Sequence, residues 1–232
     1  MNWLKFKDKF HPSWHKYMQV FIESNECNEI YKFLKEETTG GKLIAPSSHN
    51  VYRAFFETSL DELKCVIIGE NPYNKFVDDS PIASGMLFGA NTRKQDDLQE
   101  FYNGIEKELY DGLYLNYING YELDHLTCQG ILLINSSLTI EKDSEKGHSK
   151  IWKPFIEFLL KEVISVSAVP ILFLGKSKQY MPLVKESNHC YSLELPIFGN
   201  MWNTNEVFSK INKNIWDSNK ETIAWLNSEA PF

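Results

Sequence analysis

Four short apolar runs divide the chain, at residues 65–68, 130–134, 170–174 and 189–194. The first three are nearly continuous in hydrophobic residues rather than alternating, the pattern of a strand buried on both faces, while the fourth is more mixed. Between them the apolar positions fall at helical spacing. The spacing predicts helices over 12–24, with Pro12 suited to the first turn, and over 26–36, with Ile30, Phe33 and Leu34 on one face. Further helices are predicted over 96–109, 123–129, 152–163, 205–212 and 219–227, with a short helix or turn over 51–57. Residues 42–45 lead into a proline-containing loop. Residues 74–84 read as a long polar loop, 110–121 as a Gly- and Asn-rich aromatic stretch, and 141–149 as a charged loop. Strands alternating with helices predict an α/β fold of three layers, α/β/α, around a central, mainly parallel four-stranded sheet. No linker interrupts the pattern, so residues 1–232 are expected to form a single domain.

In such sheets ligands bind just beyond the carboxyl ends of the strands. The first run stops at Gly69 and is followed by Glu70-Asn71-Pro72-Tyr73, the second ends in Asn135, the third in Gly175-Lys176-Ser177, and the fourth in Leu195-Pro196. Convergence of these ends predicts a pocket with two asparagines beside a basic rim. Taken alone, Asn-Pro and Gly also make ordinary turns. No dinucleotide or phosphate-loop fingerprint is present, and Gly175-Lys176-Ser177 by itself does not make one, so no cofactor is expected.

Composition narrows the function. The net charge of −7 argues against a general polycation, so nucleic acid would have to meet a local basic patch. Cys27, Cys65, Cys128 and Cys190 lack metal-ligand spacing and read as reduced core thiols of a cytoplasmic protein without a metal. No run reaches the length of a membrane span, the first ten residues lack the apolar stretch of a signal peptide, and a monomer is the default expectation.

The strand ends, in this order, resemble family 1 uracil-DNA glycosylases. That family carries Gly-Gln-Asp-Pro-Tyr-His after its first strand, where this chain has Gly69-Glu70-Asn71-Pro72-Tyr73-Asn74. Its Gly-Leu-Cys-Phe-like segment is matched by Gly85-Met86-Leu87-Phe88, and its Leu-Leu-Leu-Asn-x-x-Leu-Thr segment by Leu132 to Thr139. A Ser-His…Trp segment is echoed by His148 and Trp152, a Gly-Ser turn by Gly175-Lys176-Ser177, and a His-Pro motif by Leu195-Pro196. The approach to the first motif, from Val51 to Thr58, is also similar, so the likeness spans nearly the whole chain. The resemblance implies a pocket for an everted pyrimidine. On it, Phe88 stacks on the base, Asn135 hydrogen-bonds its edge, Tyr73 stands against position 5, and backbone near Glu70 contacts O2. Lys176, Ser177 and Lys178 are the expected phosphate contacts, joined by Arg93 and Lys94. Phe198, Met201 and Trp202 are the apolar candidates for filling the vacated base position, or else for packing the last helix.

Two departures touch the chemistry. Asn71 replaces the family's catalytic aspartate, and Leu195 replaces its electrophilic histidine. Asn71 remains the expected catalytic residue, positioning water as in asparagine-bearing mismatch relatives. Glu70, Asp78 and Asp79 are candidate carboxylates; His148 and His189 are candidate donors. The reading is a DNA glycosylase that excises a pyrimidine other than plain uracil, such as a 5-substituted or glucosylated cytosine of phage DNA, in defence against phage. The alternatives are a catalytically silent module that binds DNA or protein, and a slow uracil or mismatch glycosylase.

Overall fold

The computed structural model describes residues 1–92, 95–111, 123–196 and 202–226. Its centre is a four-stranded sheet of β1 (Cys65–Gly69), β2 (Ile131–Asn135), β3 (Ile171–Leu174) and β4 (Cys190–Leu193), in the order β2-β1-β3-β4. Every pairing is parallel: Cys65 faces Ile131, Val66 faces Ile171, and Ile171 faces Cys190. β1, β2 and β3 are buried along their whole length, which explains why their sequences do not alternate.

Seven α-helices surround the sheet among the described residues: α1 (His15–Ile22), α2 (Asn25–Thr39), α3 (Arg53–Glu57), α4 (Asp96–Tyr110), α5 (Asp124–Thr127), α6 (Ser149–Phe158) and α7 (Val207–Asp217). They form two packed groups that complete the α/β/α layering. α2 lies against α1 and α6, and α4 lies against α7. The first group is cemented by aromatic edges, Phe21 on Phe155 at 4.9 Å and Trp14 on Phe55 at 5.1 Å between ring centres. The second holds Phe101 between Phe88 at 4.9 Å and Phe208 at 5.7 Å.

Two predicted segments differ. Within the loop expected over 74–84, Phe76–Val77 and Ser80–Pro81 pair as a small antiparallel hairpin. Asp78 and Asp79 form its tip with φ of 47° and 58°, left-handed values that Asp tolerates better than most residues. Residues 219–226 are not helical. Side-chain amides hold them extended instead: Asn212 exchanges two hydrogen bonds with the backbone of Ile223, and Gln129 exchanges two with that of Ala224. Ile223, Trp225 and Leu226 are buried all the same, so the segment meets its apolar pattern without forming a helix.

Candidate active site

The carboxyl ends of β1 and β2 are stitched together beyond the ladder. Ser136 N–H donates to Gly69 O, and Ser137 N–H donates to Glu70 O, each at 2.9 Å. This fixes Glu70 and Asn71 beside Asn135. Gly69 is required there: a Cβ on it would stand 2.8 Å from Asn135 Oδ1 and would overlap Leu87.

A cavity of about 130 Å³ opens at this point, lined by Glu70, Asn71, Pro72, Tyr73, Met86, Leu87, Phe88, Asp97, Asn135 and Leu195. The structure thus brings Asn71, Tyr73, Phe88 and Asn135 around one space. Phe88 adopts φ 59°, a backbone cost of about 1–3 kcal/mol for a bulky residue. Leu87 N–H donates to Leu133 O and Gly89 N–H to Met86 O, and these bonds hold the turn in place. Asn135 is 6 % exposed and its Oδ1 has no partner among the described residues, a state it shares with other buried atoms such as Ser84 Oγ and Asn188 Oδ1. An unpaired buried acceptor costs about 1–3 kcal/mol.

Asp97, in the first turn of α4 and outside every motif singled out in the sequence, also lines this cavity. Tyr73 Oη donates to Asp97 Oδ1 at 2.6 Å, and Leu98 N–H donates to the same oxygen at 2.9 Å. Burial holds the Asp97 carboxyl above the usual carboxylate range, against the lowering effect of the Tyr73 bond. Burial first, then the Asp97 charge, pushes the Tyr73 phenol up, so it stays protonated and donates. The Tyr73 ring is thereby tethered at the cavity wall.

Glu70 is engaged elsewhere. Its Oε1 accepts from Lys176 N–H at 2.8 Å, at the start of the 3-10 stretch Gly175–Leu183. Asp78 and Asp79 are exposed on the hairpin, with Asp79 3.1 Å from Lys142 Nζ, and neither lines the cavity. His189 sits before the amino end of β4, away from the strand ends that build the site. His148 lines the adjoining groove. Its Nδ1 lies 2.9 Å from Thr139 Oγ1, which accepts from Trp152 Nε1 at 2.7 Å, and burial lowers the imidazole pKa. Leu195 puts an aliphatic side chain at the cavity wall.

Two of the expected DNA contacts, Ser177 and Trp202, are buried. The Ser177 hydroxyl is wholly buried and lies 2.7 Å from Ile68 O and 2.8 Å from Leu174 O, so it ties the turn to the sheet and does not face outward. Lys178 is exposed but paired with Glu194 at 2.8 Å. Lys176 is the freest of the three, its Nζ 3.9 Å from Glu70. Trp202 is 9 % exposed, donates from Nε1 to Glu194 O, and packs against Phe101 and Phe208. It is a core residue and no wedge. Phe198 and Met201, with Arg93 and Lys94, lie outside the described residues. Among the described residues no cluster of metal-ligating side chains occurs and no helix is long and apolar enough to cross a membrane.

No protein-family model matches the chain. Curated relatives do. A uracil-DNA glycosylase of Caenorhabditis elegans is 26% identical over 224 residues, covering 93% of this chain and 77% of its own. One from Streptococcus pneumoniae (strain P1031) is 26% identical over 227 residues, covering 93% of this chain and 99% of its own. Among solved structures, mimivirus uracil-DNA glycosylase superposes with a TM-score of 0.81 at 18% identity, over 97% of this chain and 89% of that one. A UNG from Nitratifractor salsuginis gives 0.64 at 15%, over 93% and 92%. At those identities the superpositions speak for the fold, while the sequence matches run nearly end to end. The two lines of likeness agree with the glycosylase-like strand ends around Asn71 and Asn135, and the chain belongs to the uracil-DNA glycosylase superfamily.

Proposed function

We propose that this protein is a DNA glycosylase that everts a pyrimidine nucleotide into the cavity and hydrolyses its N-glycosidic bond, leaving an abasic site. The observation that carries this reading is the unpartnered Asn135 Oδ1 in a buried cavity walled by Phe88, whose strained backbone holds an aromatic ring there. Both features cost stability, and a flat, hydrogen-bonding ring held between Phe88 and the Asn135 carboxamide would give them a use. Curated relatives named uracil-DNA glycosylases, similar over 93% of the chain, support the same reaction class.

The hydrolysis builds positive charge on the sugar and negative charge on the departing base. Asn71 lines both the base cavity and the groove beside it, so its carboxamide is placed to orient water between them. It carries no charge to stabilise the sugar cation. Leu195 offers the leaving base no hydrogen bond. Loss of one such electrostatic partner costs about 10²–10³ in rate, so plain uracil is a poor substrate in this reading.

The finer substrate we propose is a cytosine with a hydroxyl-bearing group at position 5, of the kind found in hypermodified bacteriophage DNA. Its support is Asp97, a carboxylate acceptor in the cavity wall beside Tyr73. A cavity of about 130 Å³ is on the scale of one small ring with a short substituent. In this reading a 5-hydroxymethyl group requires the Tyr73 ring, which the resemblance sets against position 5, to shift, and a glucosylated one requires the Tyr73–Asp97 bond to open. Excision from invading DNA would load it with abasic sites.

The test is base release by the purified protein from duplexes carrying uracil, cytosine, 5-hydroxymethylcytosine or its glucosylated form, read as alkali-labile breaks. Release from the modified duplexes above uracil supports the full reading. Release of uracil alone supports a slow uracil glycosylase. Binding without release from any duplex identifies the silent module, which the neutral Asn71 and aliphatic Leu195 favour.

A further inference from the structure

A groove of about 540 Å³ adjoins the base cavity and shares Glu70 and Asn71 with it. Its far wall is the loop leading into α6, with Lys146, His148, Ser149 and Lys150, and Lys176 closes it from the β3 side. Two of its three lysines differ from their neighbours. Around the same loops Lys75 is neutralised by Asp143, Lys142 by Asp79 and Lys178 by Glu194. Lys146 and Lys150 are exposed and have no ion pair among the described residues. The carboxylates in the groove are Glu70, which is bound to the backbone of Lys176, and the exposed Glu145. The amino end of α6 adds to the cations: no side chain caps it, and its first turn holds no acid.

A chain of net charge −7 offers DNA no general attraction, so a phosphate track must be local. We infer that this groove is that track: Lys146, Lys150 and the amino end of α6 hold the phosphates flanking the everted nucleotide. The assignment moves the main phosphate contact away from the Gly175-Lys176-Ser177 turn, where Ser177 is buried and Lys178 is already paired. The shared Asn71 means that a sugar at the groove's edge presents its glycosidic bond to the residue that orients water. This inference rests on the proposed glycosylase reading.

The experiment measures the affinity of the full chain for a short fluorescein-labelled duplex containing one 5-hydroxymethylcytosine, across a potassium chloride series. Each phosphate neutralised contributes about 0.9 to the slope of log K against log salt. The Lys146→Ala/Lys150→Ala variant is expected to lose about 1.8 from that slope and to bind at least about tenfold more weakly at low salt. The Lys185→Ala/Lys213→Ala control, which removes two exposed lysines elsewhere, should match the parent in both. If the parent binds and releases base while the groove variant keeps its slope and affinity, the inference falls and the glycosylase reading stands. If the parent neither binds nor releases base from any duplex, both fall.

Discussion

The carboxamide oxygen of Asn71 lies against the α-carbon of Gly147, so closely that a Cβ at that position would overlap it. The loop before α6 therefore packs directly on the proposed water-orienting residue, and Gly147 is small because Asn71 is there.

Gly147→Ala is the sharpest test of Asn71. The new methyl group would also stand 2.6 Å from Ser137 Oγ, in a buried hydroxyl's space, so the cheapest relief is to push the half-exposed Asn71 side chain aside. A displacement of about 1 Å in a reacting group costs about 10²-fold in rate. Base release should fall by about that factor while affinity for the duplex changes by less than about twofold. Equal losses in affinity and turnover would show that the groove, and not Asn71, had been disturbed.

Asn135→Ala should separate function from stability in the opposite sense to an ordinary core change. Oδ1 is buried and unpartnered, so its removal takes away an unmet acceptor. Unfolding free energy is expected to hold or to rise by up to about 1 kcal/mol. Base release should drop by about 10²–10³-fold. A large loss of stability would mean that the carboxamide serves the fold, and the base-reading role would then be withdrawn.

Asp97→Asn tests the buried carboxyl by its pH dependence. Burial raises the Asp97 pKa in the folded state, so the stability it contributes is complete below the unfolded carboxylate range and is lost as pH rises through the raised folded value. At neutral pH the ionised group is a burden that the amide lacks, while an amide oxygen still accepts from Tyr73 Oη. Tm should rise by a few degrees at pH 7, and the difference should shrink as pH falls towards about 4. A lower Tm at pH 7 would show that the charged bond to Tyr73 outweighs desolvation.

The sheet and the strand-end cluster were legible because their signals are local. β1 is apolar from Cys65 to Ile68 and closes on Gly69, with Glu70 next; β2 is apolar from Ile131 to Ile134 and closes on Asn135, the last residue of its ladder. Asp97 was not legible. It stands 24 residues after Tyr73, reads as a helix-start acid, and reaches the cavity only because α4 is laid along the Gly85–Phe88 turn by Phe88 and Phe101. The extended 219–226 segment shows the same limit. Ile223 and Leu226 keep helical spacing, but the deciding partners, Gln129 and Asn212, are polar residues whose double hydrogen bonds no periodicity reveals. The small hairpin at 76–81 was missed because a two-residue ladder has no period to detect.

Trp202 provides the remaining test, since sequence alone left it between a DNA wedge and a core residue. Its indole is 9 % exposed, stands 5.8 Å from the Phe101 ring and 6.2 Å from Phe208, and is packed so tightly on α4 that a Cβ at Gly104 would lie 2.5 Å from it. Its Nε1–H holds Glu194 O at the end of β4. Removing a ring so placed leaves a cavity between α4 and α7 and frees a carbonyl. Trp202→Ala should destabilise the protein by about 3–5 kcal/mol in urea unfolding. Gly104→Ala, which overfills the same space, should cost about 1–3 kcal/mol. Trp202→Phe keeps most of the volume and should leave the salt slope of duplex binding at the parental value. A wedge residue would behave the other way round, with stability untouched by Trp202→Ala and the bound duplex less distorted, as 2-aminopurine fluorescence beside the target base would report.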